Sequence, residues 1–151
     1  MKRYAIAAVS AALVAGAAHA QQVIKEEKGK CQMTVPADYR QQEVFGKKIS
    51  AAAAPDRSVD AVVSIMDGSD WNTFNSLVWQ VYAKEKSRPK IESGPKRLWF
   101  EIVSMAQDGK TGWYVAVPGA AGTCNAQVNF NKGDKKAEAV ARKIVESIKS
   151  S

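Results

Sequence analysis

The sequence predicts an α+β protein, a single-domain α/β/α sandwich with a central, mainly antiparallel sheet of six to seven strands and two main helices. Three observations carry this reading. Strand-like runs follow one another across tight turns, which favours antiparallel pairing. Two stretches, one mid-chain and one at the end, repeat apolar residues at helical spacing. Several strands, such as "LWFEIV" and "WYVAVP", are apolar in both phases, so a layer must cover each side of the sheet.

The elements follow in order. Residues 21–29 belong to a polar, charged stretch, "QQVIKEEKGK", and are expected to be a flexible lead-in to a domain spanning 30–151. The first strand covers 30–35 and stops at Pro36, and the second runs over 44–54 to the turn-forming cluster "PDRS". A β-branched third strand, 59–66, stops at Asp67-Gly68 and completes a hairpin with the second. Ser69 or Asp70 then caps a helix whose stripe is Trp71, Phe74, Leu77, Val78, Val81 and Tyr82. After "SRPKIESGP", with a short strand near 90–92, come "KRLWFEIVSMA" and "GWYVAVP", joined across Gln107-Asp108-Gly109-Lys110. "PGAAG" leads into a last strand, 123–130. From Asp134 onward, Ala137, Val140, Ala141, Ile144, Val145 and Ile148 mark a closing amphipathic helix.

Residues 1–20 have the plan of a cleaved secretory signal. Lys2 and Arg3 precede the apolar run 4–14, and Ala18-His19-Ala20 offers small residues where a signal peptidase reads, so cleavage is expected after Ala20. The run is shorter than the roughly 20 residues of a membrane span. Ala17 stands where a lipid-bearing cysteine would have to be, so no membrane span or lipid anchor is expected. The one histidine, His19, leaves with the signal. That excludes imidazole bases, Ser-His-Asp and Cys-His devices and His-based metal sites from the mature chain. Without Lys2 and Arg3, 20 basic residues remain against 15 acidic, a net +5 that suits anionic envelope components or acidic proteins. Nucleic acid is not an expected partner outside the cytoplasm, and no cofactor or metal is expected.

Cys31 and Cys124 are expected to form a disulfide. In "KCQMTV" the inward set is Cys31, Met33 and Val35. In "TCNAQVNF" it is Cys124, Ala126, Val128 and Phe130, so both cysteines share the apolar phase of a strand. Closing a loop of about 90 residues is worth roughly 4–5 kcal/mol on the chain-entropy model, as an upper figure.

"MTVPADY", then a hairpin, a helix, a strand meander with "GWYVAVP" and a last helix ending "IVESIKS" resemble the PsbP/DcrB-like superfamily of small α/β/α sandwiches. The resemblance spans most of 30–150 and rests on element order and loose patterns. It implies the sandwich fold and an accessory, assembly or binding role in the cell envelope or photosynthetic membranes, mostly without catalysis. The disulfide is not a hallmark of that superfamily.

Candidate sites are few. "DGSDWN" offers Asp67, Ser69 and Asp70 as oxygen ligands but lacks the length and terminal glutamate of a calcium loop, so a helix-capping turn is expected. Asp67, Asp70 and Glu101 are the carboxylates open to acid–base work, with nothing to set their separation. Trp71, Trp79, Trp99 and Trp113 are expected mainly in the core, with Trp113-Tyr114 the pair expected to reach a surface. The densest charge is Lys84, Lys86, Arg88, Lys90, Lys96 and Arg97 against Glu85 and Glu92, around a loop, where binding residues tend to sit. These six cations, with Trp113 and Tyr114, are the expected binding residues.

The functional expectation is an exported, non-enzymatic binding or accessory protein of the bacterial cell envelope, periplasmic or secreted, contacting a protein or an anionic envelope component. One alternative is an inhibitor or immunity protein that plugs an envelope-acting enzyme with "PGAAG" or "SRPKIESGP". Another is a carboxylate-dependent hydrolase, for which no motif stands out.

Overall fold

Alternation of buried Met33 and Val35 with half-buried Gln32 and Thr34 gives one stretch a core face and a wetter face, the signature of a half-covered strand. The computed structural model describes residues 20–68, 70–83, 90–102 and 109–150. Among these the chain forms β1 (Gln21–Lys25), β2 (Cys31–Pro36), β3 (Arg40–Val44), β4 (Lys47–Ala53), β5 (Val59–Asp67) and α1 (Trp71–Val81). It continues with β6 (Lys90–Ser93), β7 (Leu98–Ile102), β8 (Lys110–Gly119), β9 (Gly122–Asn131), α2 (Lys135–Ser147) and β10 (Lys149–Ser150).

Seven strands make one antiparallel sheet in the order β3-β4-β5-β9-β8-β7-β6. At its centre β5 and β9 pair without a break from Val59↔Phe130 to Asp67↔Gly122. A second antiparallel sheet, β1-β2-β10, lies with α2 over one face of the first. On the other face α1 sets Phe74 and Val78 against Leu98, Phe100, Ile102 and Tyr114. Helices therefore flank the sheet as the sequence predicts, and both begin at an aspartate cap, Asp70 and Asp134.

Two expectations need correcting. Residues 21–29 are not simply a flexible lead-in, because β1 pairs with β2 from Gln21↔Pro36 to Lys25↔Gln32 and buries Ile24. The buried Glu26 carboxylate then accepts the N–H groups of Lys28 and Lys30 at 2.8 and 2.6 Å, so this charge is held by backbone donors. Most of the expected strand 44–54 is β4, paired with β5, but its start is a turn at Phe45 and Gly46 that leads back to an unexpected strand, β3. Both turn residues have positive φ, 50° and 74°, as a tight type I′ connection requires.

Cys31 and Cys124 are bonded to each other, with Cα atoms 5.6 Å apart and both side chains fully buried. The bridge joins β2 to β9 and so fastens the small sheet to the centre of the large one. Buried bridges of this kind form and persist in oxidising compartments.

Candidate functional site

Three backbone-anchored segments meet along α2. Pro36 ends β2 and opens a turn in which the Tyr39 N–H donates to the Pro36 carbonyl at 3.1 Å. That turn brings the Tyr39 ring back under the sheet, leaving it 8% exposed. The β4–β5 connection is closed by the Ala54 N–H on the Val59 carbonyl at 2.9 Å, with Arg57 in the left-handed region at φ 58°. Within it the Asp56 carboxylate accepts the Ser58 N–H at 2.9 Å. The third wall is α2 itself. At its start Asp134 accepts from the Lys136 and Ala137 N–H groups, and near its end the Ser147 hydroxyl accepts the Thr34 N–H at 2.8 Å.

Between these walls lies a groove of about 540 Å³, within the range of small-molecule sites. From Lys136 to Ser147 it follows α2 for about 16 Å at 1.5 Å per residue. Val35, Val59, Ala137, Val140 and Ile144 give it an apolar lining, while Asp38, Asp56, Lys136 and Lys143 bring charge. Tyr39 lines the groove, and its hydroxyl is solvent-accessible with no hydrogen-bond partner among the described residues. Burial pushes its phenol up to about 12, helped by the negative charges of Asp38, Asp56 and Asp60. It is therefore a neutral hydroxyl at physiological pH. Asp56 is held below the usual carboxylate range, first by the Ser58 hydroxyl, then by the Ser58 N–H, with Lys136 adding its attraction.

No family model matches the chain, and neither does any curated protein. Solved structures do match it. Cyanobacterial PsbP (CyanoP) from Synechocystis sp. PCC 6803 aligns at TM-score 0.56 and 9% identity, over 88% of this chain and 94% of that one. The fold is PsbP-like. A Bacteroides thetaiotaomicron VPI-5482 protein aligns at TM-score 0.55 and 14% identity, over 87% of this chain and 48% of its own length. This chain thus spans about half of that relative, and identities this low speak for the fold alone.

Within this PsbP-like fold the described members of the expected binding set do not converge on the groove. Lys84, Lys86 and Arg88 lie outside the described residues. Lys90 opens the exposed edge strand β6 and sets its Nζ 4.9 Å over the Trp79 ring. Lys96 and Arg97 sit in the β6–β7 turn, where the Gly94 N–H donates to the Arg97 carbonyl at 3.0 Å. These three cations occupy the β6 side of the large sheet, while the groove adjoins the β4–β5 side.

Trp113 and Tyr114 do not reach the surface as expected; they are 3% and 7% exposed. Neighbours on a strand point to opposite faces, and here each face is covered. Trp113 packs with Trp99 and Phe130 beneath Arg142 of α2, and Tyr114 packs with Phe100 and Tyr82 by α1. Burial raises the Tyr114 phenol strongly.

Ser69 also lies outside the described residues. Asp70 is a cap, accepting from the Asn72 and Thr73 N–H groups at 2.9 and 3.0 Å. Glu101 pairs across the ladder with Trp113, on the α2 face, whereas Asp70 caps the helix on the other, so these two carboxylates do not share a site. "PGAAG" is not a protruding loop: Gly119 pairs with Gly122 across a two-residue turn, and a Cβ on Gly119 would collide with Ser150. Sequence reasoning missed the groove. The signal available was Tyr39, an aromatic placed directly after the turn-forming Pro-Ala-Asp.

Proposed function

We propose that this chain is an exported, non-enzymatic binding module of the cell envelope, periplasmic or secreted, and that the groove along α2 holds its ligand. One observation carries the reading: a 540 Å³ groove with an apolar lining, walled in part by Tyr39, whose hydroxyl has no hydrogen-bond partner among the described residues. Its polar groups suit holding rather than proton transfer. A phenol near 12 and an aspartate below its usual range sit on either side of the pH where a general acid or base works best. The Cys31–Cys124 bridge and the signal-like residues 1–20 support export, with cleavage after Ala20. No helix among the described residues is long and apolar enough to cross a membrane.

The test is co-sedimentation of the oxidised chain with isolated envelope fractions, with mass spectrometry of the soluble products. Envelope fragments should be retained at unchanged mass, and Val140→Trp, which fills the groove, should lose that retention while keeping the wild-type circular dichroism. Release of cleaved fragments, or retention untouched by Val140→Trp, would overturn the reading.

A further inference from the structure

Resting on the reading of this groove as a ligand site, we propose that it takes an alkylammonium head on an apolar stem, as a free diamine or a lysine-like side chain supplies. Tyr39 is more than nine-tenths buried, it lines the groove, and its hydroxyl has no protein partner among the described residues. A neutral hydroxyl offers lone pairs to an ammonium N–H. Asp38 and Asp56 line the same groove from two different turns, and both are near enough to disfavour a negative charge on the phenol. Burial, the larger cause of the raised phenol, opposes a charge of either sign, but the carboxylates of Asp38 and Asp56 that line the groove favour a cation over an anion there.

The rest of the groove fits the stem. Val140 and Ile144 line it beyond the carboxylates, and a four- or five-carbon chain buries apolar surface while its head stays hydrogen-bonded. The groove's own cations leave the preference intact. Lys136 acts on Asp56, Lys143 lies further along α2, and Asp134 is engaged by the helix amides, which leaves Asp38 and the Tyr39 hydroxyl for the ligand. Ammonium–carboxylate hydrogen bonds are about twice as strong as neutral ones, so the head group should dominate selectivity.

The experiment is a titration of the ¹⁵N-labelled, disulfide-intact chain, read by amide chemical shifts. Three probes are compared: 1,5-diaminopentane, Nα-acetyl-lysine amide, and hexanoate as an anion on a similar stem. At least one amine should give saturable shifts confined to residues 36–39, 54–59 and 136–144, and hexanoate should not. Diamine binding alone assigns a free amine, and binding of the lysine amide assigns a peptide side chain. Asp38→Asn with Asp56→Asn should weaken the amine about tenfold or more, with the two single variants read separately if the pair fails to fold. Tyr39→Phe should weaken it several-fold. Absence of saturable shifts with both amines overturns the inference, as does binding like wild type by Asp38→Asn or by the double variant. Hexanoate binding in the groove as tightly as the amines also overturns it, yet leaves the groove a ligand site, so this failure is separate from that of the binding reading.

Discussion

On one face of the seven-stranded sheet, α2 and a whole second sheet lie over Val63, Val128 and Phe130; on the other, among the described residues, α1 lies over Leu98, Phe100 and Tyr114. The first face is also fastened covalently, through Cys31 and Cys124. There α2 buries Ala137 and Ala141 alongside Ile144 and Val145, small residues that let the helix sit close. By contrast, α1 leaves Leu77 40% and Val81 75% exposed. The β5–β9 half of the α1 face carries Val62 and Met66 exposed beside polar groups that pair with one another. Lys110 pairs with Asp60 at 2.6 Å, the Asn129 amide donates to Asp60 at 2.7 Å, and the Gln127 amide donates to Asn129 at 3.1 Å. Gly112 makes room for this chain, since a Cβ there would come within 2.8 Å of the Asn129 oxygen. A face whose polar groups pair locally tolerates half a cover. The more thickly covered face is also the one that frames the groove, which suits a site needing fixed walls.

The largest expected effect is on the stapled face. Replacing Cys31 and Cys124 together by alanine should lower the unfolding free energy by about 4 kcal/mol, read from urea denaturation. Amide exchange should show β1, β2 and β10 opening first while α1 keeps its protection. A loss under about 1 kcal/mol would mean that packing alone docks the small sheet, and the contrast between the faces would weaken.

The next effect tests the thinner face. Phe74 is fully buried between α1 and the sheet, and Phe74→Ala should cost about 3 kcal/mol. Because α1 covers that cluster, native-state exchange should show α1 opening locally while α2 stays protected. Equal loss of protection in both helices would show that the two cores unfold as one.

How much of this was legible depended on how local the cause is. Both helices could be read because their stripes and aspartate caps lie within one short stretch of chain. The disulfide could be read because Cys31 and Cys124 share the inward phase of their strands. β1 could not, because "QQVIK" carries one fully buried apolar residue, Ile24, and its strand state comes from the hydrogen bonds of β2. The β3–β4 turn was hidden because Phe45 stands where asparagine or aspartate would have signalled positive φ. The groove was hidden for a deeper reason. Its walls come from residues 36–39, 54–59 and 134–147, each of which reads alone as a turn or a capped helix, and only the tertiary fold brings them together.

The smallest effect concerns how α1 begins on the thinner face. The Asp70 carboxylate lies below the usual range because the Thr73 hydroxyl donates to it at 2.6 Å, with the Thr73 and Asn72 N–H groups adding to the shift. A folded-state value below the unfolded one means the cap stabilises fully above the ordinary aspartate value near 3.8 and fades as the pH falls through the folded value. Asp70→Asn keeps a capping oxygen but removes the charge. Above that window wild type should therefore have the higher Tm, by a small margin because the site is exposed and screened. As the pH falls below 3.8 the gap should close, since only wild type loses a charge at the cap. Asp56 also lies below its usual range, but it titrates in both proteins and cancels in the difference. A gap that stays constant from pH 6 to pH 2 would show that the Asp70 charge is not what separates the two proteins, leaving the thinner face held by Phe74 and Val78 packing and the cap's hydrogen bonds, against a face held by a bridge.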